Sequence, residues 1–214
     1  MESIAVIVLA GGNSSRMNFP KPWLIFEDNA TFLETIINRY RSAGFKKIVI
    51  LLNKTCFLTE YNDRIEFLKL TTVFVENNYP EKGRLYSLYI ALKDLPSNDF
   101  AIIHNVDNPF VEDEVIHALH KERKLNGTTI PTYKQKAGHP IIIGKIVIDE
   151  IINNYEKYDT LKQLINKFDK KYVGVNSSNI LININTPQEY KSLPNPSEGG
   201  ACVEEREKMN YKLL

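Results

Sequence analysis

The sequence predicts an α/β fold with parallel strands, and three observations carry this prediction. Short apolar runs rich in β-branched residues alternate along the chain with segments of helical periodicity. The first run, residues 4–9 (IAVIVL), is apolar at every position, as expected for a strand that helices cover on both faces. A length of 214 residues suffices for one sizeable core and is too short for two. We therefore expect a single domain over residues 1–192.

The first part of the chain shows the clearest helix and strand signals. Thr31 and Glu34 have the spacing of a capping box, which starts a helix that Gly44 ends. A second helix is expected to stop at Pro96, because proline cannot continue a helix. The strands of this part are predicted at 4–9, 47–52, 72–75 and 100–104, and the helices at 31–44, 87–95 and 112–124.

The second part mixes shorter elements and ends in a change of composition. Thr186 can cap a short helix whose first turn contains Pro187. The stretch SLPNPSEGG after Tyr190 has the composition of a linker, so residues 193–214 are expected to be a linker and tail, to which we assign no function. The strands of this part are predicted at 127–132, 140–144, 171–175 and 179–184, and the helices at 146–155 and 160–168.

The charge balance and the cysteines exclude several classes of function. With 27 basic and 26 acidic residues the net charge is only +1, so no nucleic acid or anionic membrane partner is expected and any anion site must be local. The first twelve residues lack the basic region and the long apolar run of a signal or membrane segment. Cys56 and Cys202 match no zinc or redox spacing. These features together predict a cytoplasmic protein.

The loop after the first strand, residues 9–22 (LAGGNSSRMNFPKP), concentrates groups that bind phosphate. It matches neither common glycine-rich phosphate pattern, because its two glycines are adjacent and its lysine lies nine residues further on. Adjacent glycines still let backbone N–H groups approach an anion, hydroxyls can donate, and a guanidinium fork suits phosphate. The alternative is an ordinary turn with exposed cations. The candidate residues are Gly11, Gly12, Ser14, Ser15, Arg16 and Lys21.

A second candidate is Asp107, which follows the predicted strand 100–104 in the sequence Val106-Asp107-Asn108-Pro109. Ligands of open α/β sheets gather outside the carboxyl ends of the strands. A carboxylate there suits Mg²⁺, which takes one or two carboxylates and completes its shell with water and substrate phosphates. The alternative is a turn aspartate before Asn-Pro.

The loop motif LAGGxSSRM, followed by PK, resembles the signature of the NTP transferase family, most closely its molybdenum-cofactor cytidylyl/guanylyltransferase branch. The resemblance implies a three-layer sandwich with a mostly parallel mixed sheet, the Rossmann-like A-type glycosyltransferase fold of nucleotide-diphospho-sugar transferases. It also implies that the loop, from Leu9 and Ala10 onwards, wraps the triphosphate of an NTP, with Arg16 and Lys21 on the phosphates. The family usually has glycine where this chain has Asn18.

The same resemblance extends to several residues further along the chain, from Asp107 to Asn185. Asp107 with Pro109 matches the Asp-x-Pro metal ligand of the family, and Asn185 matches a second ligand position in NINTPQEY. As an amide, Asn185 offers a carbonyl oxygen to Mg²⁺ with one negative charge less than an aspartate. Asn183 is then a candidate phosphate contact on the acceptor side, and His139, in Gly-His-Pro, lines the side of the second substrate.

The segment NNYPEKGRLYSL, residues 77–88, is similar to the part of the family that frames the base and ribose. Gly83 and Ser87 match its spacing, and Asn78 matches loosely because Tyr79 intervenes. The simpler interpretation is a turn followed by a helix N-terminus, which itself favours an anion. For His139 the simpler interpretation is a structural histidine.

Together the resemblances predict an Mg²⁺-dependent nucleotidyltransferase in which Arg16, Lys21 and Asp107 serve catalysis. CTP is favoured as the donor by the 77–88 and Gly-His-Pro segments, whereas the LAGG start is closer to the guanylyl branch and GTP. The acceptor could be molybdopterin, methylerythritol phosphate, phosphocholine or a sugar phosphate. A nucleotide-binding module without turnover is the alternative from another class. A glycosyltransferase is disfavoured, because Asn105-Val106-Asp107 supplies only half of an Asp-x-Asp motif. The oligomeric state is left open.

Overall fold

The fold is built on a central sheet of eight strands. The computed structural model describes residues 3–27, 29–57, 59–95 and 98–193, so the expected stop at Pro96 and the expected tail beyond residue 193 lie outside it. In chain order its strands are β1 (Ile4–Ala10), β2 (Ile25–Glu27), β3 (Ala30–Thr31), β4 (Ile48–Asn53), β5 (Val73–Asn77), β6 (Phe100–Asn105), β7 (Gly127–Tyr133), β8 (Lys136–Ala137), β9 (Ile141–Gly144) and β10 (Asp169–Gly174). The helices are α1 (Phe32–Ser42), α2 (Asn62–Lys69), α3 (Gly83–Leu92), α4 (Asp113–Lys121), α5 (Lys145–Asn154), α6 (Leu161–Ile165) and α7 (Pro187–Lys191).

The strand order across the sheet is β10-β7-β9-β6-β1-β4-β5, with β8 paired to β7. Strands β6, β1, β4 and β5 run parallel to one another, and so do β10 and β7. Strand β9 is antiparallel to both of its neighbours, β6 and β7. The mostly parallel mixed sheet that the family resemblance implies is therefore confirmed.

Helices cover both faces of the sheet, which explains the wholly apolar first strand. Because side chains alternate between the faces of a strand, Val6 and Val8 of β1 join one buried cluster while Ala5 and Ile7 join another. The first cluster includes residues of α1, α2 and α4, and the second includes residues of α3, α5 and α6. The result is a three-layer sandwich with a core on each face of the sheet.

The predicted capping box is present at the start of α1. Thr31 Oγ1 accepts a hydrogen bond from the Glu34 backbone N–H at 3.2 Å, and the Glu34 carboxylate accepts one from the Thr31 N–H at 2.7 Å. The chain leaves the helix at Gly44, whose φ of 89° is in the left-handed region that glycine adopts without strain. Thr186 and Glu189 form a second capping box at α7, as its Thr-Pro start predicts.

Some predicted elements are wrong or displaced. The strand expected at 179–184 is absent: Ser178–Leu181 forms a 3-10 helix, started by a hydrogen bond from the Asn179 N–H to the Ser177 hydroxyl. Serine and asparagine side chains compete for backbone groups in this way, which local apolar periodicity does not reveal. Helix α3 begins at Gly83 rather than at 87, and α6 ends at Ile165. Helix α2 and the β2–β3 ribbon were not predicted; in α2 only Ile65 and Leu68 are buried.

The parallel strands place three connections at one edge of the sheet. Strands β1, β4 and β6 run in the same direction, so the segments that follow Ala10, Asn53 and Asn105 all leave at their carboxyl ends. Two of these segments are the glycine-serine loop and the turn of Asp107. This edge is therefore where the candidate residues meet.

Candidate active site

A cavity of about 290 Å³ opens at the carboxyl edge of β1, β4 and β6. Its walls come from the loop after β1, the start of α3 and the turn after β6. Leu51, Pro80, Arg84, Asn105 and Val106 also line it, and sequence reasoning did not select them. The predicted site residues that line it are Leu9, Ala10, Gly11, Gly12, Ser14, Lys21, Gly83, Ser87 and Asp107.

The glycine-serine loop turns unpaired backbone N–H groups away from β4. Asn53 Nδ2 donates to the carbonyl oxygens of Gly11, at 3.1 Å, and Gly12, at 3.0 Å. Because the C=O and N–H of one peptide unit point in opposite directions, this contact turns the N–H groups of the two following residues the other way. Among the described residues, the N–H groups of residues 12–16 have no hydrogen-bond partner. Such a row of free donors is suited to an anion.

Asn53 is a site residue that sequence reasoning missed. The signal was present, because an amide stands directly after the predicted strand 47–52, at the edge where the loop also lies. The close approach of loop and β4 also explains Gly11: a Cβ on this residue would lie 2.8 Å from Leu51 Cδ2. A side chain at this position would force the Leu51 side chain to shift, so glycine favours close packing here as well as anion access.

Lys21 and Arg16 both reach Asn185, which lies on the segment before α7. Lys21 Nζ donates to Asn185 Oδ1 at 2.8 Å, and Arg16 Nη2 donates to the same oxygen at 3.2 Å. Lys21 Nζ also lies 3.8 Å from Asp107 Oδ2. Burial lowers the pKa of Lys21, opposed by the charge of Asp107. Lys21 and Asp107 therefore meet in the cavity, and Arg16 joins Lys21 at Asn185.

The segment that carries Lys21 is anchored by Trp23. The indole N–H of this fully buried residue donates to the Cys56 carbonyl at 2.7 Å, and its ring stacks on Tyr61 with centroids 5.0 Å apart. Pro20 and Pro22 flank Lys21 at the start of the 3-10 helix Lys21–Trp23. The lysine therefore projects from a rigid base, which favours a defined position for its charge.

The turn of Asp107 is held by hydrogen bonds on both sides. The Asp107 carbonyl accepts from the Ile184 N–H at 2.7 Å, and His104 Nε2 lies 2.7 Å from the Asn108 carbonyl. Since a carbonyl only accepts, His104 carries its proton on Nε2, and its Nδ1 accepts from the Tyr40 hydroxyl at 3.0 Å. Burial raises the pKa of the Asp107 carboxyl, opposed by Lys21 and Arg84.

Of the residues predicted to frame the base, Ser87 lines the cavity and Asn78 does not. Ser87 Oγ accepts from Asn77 Nδ2 at 3.1 Å and donates to the Gly83 carbonyl at 3.0 Å, so in the cavity it can act only as a further acceptor. Asn78 lines a separate depression with Tyr79 and does not line the cavity. The buried asparagine that supports the predicted base site is Asn77, its neighbour in sequence.

The remaining predicted residues lie around the cavity rather than in its wall. Ser15 is exposed and does not line it, and Arg16 does not line it either but shares Asn185 Oδ1 with Lys21. Asn183 is exposed on a groove of about 700 Å³ that Asn185 also lines, so this groove adjoins the cations. His139 lines a narrow hollow, where burial lowers its pKa to about 4 and its Nδ1 has no partner among the described residues.

The cavity fits a hard divalent cation that is held jointly with a substrate. Asp107 Oδ1 and Asn105 Oδ1 are buried and have no hydrogen-bond partner within the described ranges. Oxygen donors of this kind suit Mg²⁺, which keeps waters and accepts phosphate oxygens. The described residues contain no group of three or more His, Cys, Asp or Glu that could hold an ion alone. Asn185 Oδ1, the other expected ligand, is instead engaged by two cations.

The chain is similar in sequence to nucleotidyltransferases. Over 201 residues, 87% of this chain and 93% of the relative, the chain is 29% identical to a protein of Clostridium perfringens (strain SM101 / Type A) named probable molybdenum cofactor guanylyltransferase. It is 26% identical over 120 residues, 54% of this chain and 50% of the relative, to a 2-C-methyl-D-erythritol 4-phosphate cytidylyltransferase of Fusobacterium nucleatum.

Solved structures share the fold. A nucleotidyl transferase from Methanothermobacter thermautotroptrophicus superposes with a TM-score of 0.68 at 16% identity, covering 99% of both chains. In the described part of the chain no helix has the length and apolar character needed to span a membrane. The family model of the MobA-like NTP transferase domain matches residues 6–172. The chain therefore belongs to the MobA-like NTP transferase family and is a nucleotidyltransferase.

Proposed function

We propose that the protein transfers a nucleoside monophosphate from an NTP to a phosphorylated small molecule and releases pyrophosphate. The observation that carries the proposal is that Lys21 and Asp107 line one cavity beside a loop with free N–H groups, while Arg16 meets Lys21 at Asn185 Oδ1. A phosphate oxygen of the acceptor attacks the α-phosphorus in line, the bond from that phosphorus to the bridging oxygen breaks, and pyrophosphate leaves with the electron pair. No side chain has to form a covalent intermediate.

Each group of the site has a role in this transfer. The free N–H groups of residues 12–16 bind the phosphates, and Lys21 and Arg16 stabilise the charge that develops on the leaving pyrophosphate. Asp107 would hold Mg²⁺, which supplies further neutralisation of the phosphate charge when bound. Gly83 and Ser87 would face the base and ribose, at the opposite wall of the cavity. Asn183 and His139 would lie on the acceptor side.

CTP is the donor we propose, on the match of Gly83, Ser87 and the Gly-His-Pro segment to the cytidylyl branch. GTP is the second candidate, and a specific observation favours it: the match to a probable guanylyltransferase covers 93% of that protein, whereas the match to a cytidylyltransferase covers 50%. For the same reason molybdopterin, in its free or molybdenum-bound form, is the acceptor we propose first. Methylerythritol phosphate is the second.

A pyrophosphate-release assay tests the proposal. Purified protein is incubated with each of the four NTPs, with and without Mg²⁺, and with a panel of phosphorylated acceptors that includes molybdopterin and methylerythritol phosphate. We expect pyrophosphate release that requires Mg²⁺, one specific NTP and one specific acceptor. The Asp107→Asn variant should release no pyrophosphate. Absence of release from every combination contradicts the proposal. Tight nucleotide binding that ignores Mg²⁺, measured by calorimetry, would instead support a binding module without turnover.

A further inference from the structure

Asn105, the last residue of β6, has a buried side-chain oxygen without a partner. The residue is 5% exposed, it lines the cavity, and none of the described residues donates a hydrogen bond to its Oδ1. Buried polar atoms in folded proteins almost always have a hydrogen-bond partner, because burying an unpaired one removes its bonds to water without replacing them. An exception in a residue that lines a cavity points to a ligand as the missing partner.

Asn105 and Asp107 line the same cavity, and each has one side-chain oxygen without a partner among the described residues. In both residues this oxygen is the buried Oδ1. The Asn108 N–H donates to the Asn105 carbonyl at 3.1 Å and closes the turn between them, and His104 holds the Asn108 carbonyl. The backbone of the turn that carries both side chains is thus held in place before any ligand arrives, which favours a metal site.

Asn185 is placed differently. Its Oδ1 already accepts from Lys21 at 2.8 Å and from Arg16 at 3.2 Å. A divalent cation on this oxygen would lie beside two positive side chains, which repel it. Asn185 is therefore suited to orient the two cations, and the second protein ligand of a metal has to come from elsewhere.

We propose that Asn105 Oδ1 and Asp107 Oδ1 together hold the divalent cation of a bound metal–nucleotide complex. Asn105-Val106-Asp107 then works as an Asp-x-Asp motif with one negative charge fewer. A single carboxylate binds a free cation weakly, so the site takes the cation with its triphosphate rather than alone. This inference rests on the proposed function, and it assigns the metal site within it.

Mn²⁺ is the probe for the test, because it substitutes for Mg²⁺ and its binding is measured directly by water-proton relaxation. Wild-type protein and the variants are titrated with Mn²⁺ in the presence of α,β-methylene-CTP or α,β-methylene-GTP, which cannot be turned over. The affinity for each nucleotide without metal is measured in parallel by calorimetry. The variants are Asn105→Leu, which keeps the volume without the oxygen, and Asn105→Asp, which adds a charge. Asn185→Asp is the matched control.

We expect Asn105→Leu to weaken Mn²⁺ binding to the nucleotide complex at least about tenfold while leaving metal-free nucleotide affinity unchanged. Its melting temperature should not fall, because the substitution removes an unpaired buried polar group. Asn105→Asp should bind Mn²⁺ more tightly than the wild type, because the ligand gains a charge. Asn185→Asp should not, because its new carboxylate would pair with Lys21 and Arg16.

Three results would overturn the inference. Unchanged Mn²⁺ affinity in Asn105→Leu would show that Asn105 Oδ1 is not a metal ligand. Weaker nucleotide binding in Asn105→Leu without metal would show that the amide N–H contacts a phosphate instead. Tighter Mn²⁺ binding in Asn185→Asp, but not in Asn105→Asp, would make Asn185 the ligand. If Asn105→Leu does not fold, the two aspartate variants decide. A wild-type protein that binds neither nucleotide would contradict the proposed function itself.

Discussion

Lys21 Nζ lies 3.8 Å from Asp107 Oδ2, so the loop after β1 and the turn after β6 face each other across the cavity. Both groups are largely buried, and this burial lowers the pKa of Lys21 and raises the pKa of Asp107. Without ligand the two groups form an ion pair, and Lys21 also donates to Asn185 Oδ1 at 2.8 Å. A bound metal–triphosphate would give each of the two groups a stronger partner, because phosphate oxygens suit the ammonium and a divalent cation suits the carboxylate.

The first prediction concerns the charge of Lys21. The Lys21→Met variant should lower the rate of pyrophosphate release by about 100-fold to 1,000-fold, because it removes a fixed charge that stabilises the leaving group. Single-turnover kinetics with the nucleotide identified above measure the loss. Lys145→Met is the control: this lysine pairs with Asp149 on the exposed side of α5, away from the cavity, and its loss should leave the rate unchanged. A wild-type rate in Lys21→Met would show that Lys21 does not contribute to the transfer.

The second prediction separates the two glycines of the loop. Gly11→Ala places a Cβ 2.8 Å from Leu51 Cδ2 in the core, so it should lower the free energy of unfolding by about 1–2 kcal/mol and weaken nucleotide binding. Gly12→Ala meets no atom within 4 Å and should not destabilise the fold, although its methyl group lies at the cavity wall. Urea denaturation and calorimetry measure the two effects. Equal stability of both variants would contradict the packing argument.

The third prediction tests the amide that orients the loop. Asn53→Ala removes the donor to the Gly11 and Gly12 carbonyls, so stability should fall by about 1–3 kcal/mol, the cost of unpaired buried groups. Nucleotide affinity should fall as well, because the N–H groups of Gly12 and Asn13 are then no longer turned away from β4. Asn176→Ala, at an exposed position, should change stability by no more than about 0.5 kcal/mol. Full nucleotide affinity in Asn53→Ala would show that the loop keeps its shape unaided.

The fourth prediction is a loss of stability in mild acid. Burial lowers the pKa of His104 from 6.5 to about 4, so the unfolded chain takes up a proton at this residue first as the pH falls. The stability that depends on neutral His104 is complete above pH 6.5 and is lost as the pH falls toward 4, in total roughly 3 kcal/mol. Urea denaturation between pH 7.5 and 4.5 measures the slope.

His139 contributes to the same pH range, because burial also lowers its pKa to about 4. The His139→Asn variant separates the two contributions: its remaining slope between pH 6.5 and 4 belongs mainly to His104. A His104→Asn variant with the full wild-type slope would contradict the assignment of a buried neutral imidazole at this position. Such a result would also question the hydrogen bond that holds the Asn108 carbonyl.

Several features follow from residues close together in the sequence. The apolar run of β1, the capping box at Thr31 and the Thr-Pro start of α7 were each predicted, because a strand covered on both faces or a helix cap needs only a few adjacent residues. The placement of the glycine loop and Asp107 at one edge also followed, once the strands were taken as parallel. The expected strand at 179–184 failed because side-chain hydrogen bonds there outweigh the apolar pattern.

Residue types and their order along the chain were enough to establish the α/β class, the phosphate-binding character of the loop after β1 and the family resemblance. The tertiary structure decided which side chains meet: it brought Asn185 to Lys21 and Arg16 and Asn53 to the loop carbonyls. Among the described residues it left Oδ1 of Asn105 and Oδ1 of Asp107 without a hydrogen-bond partner. The physical reason is the range of the interactions. Strand order and register set these contacts between distant segments, and no pattern confined to one segment contains that information.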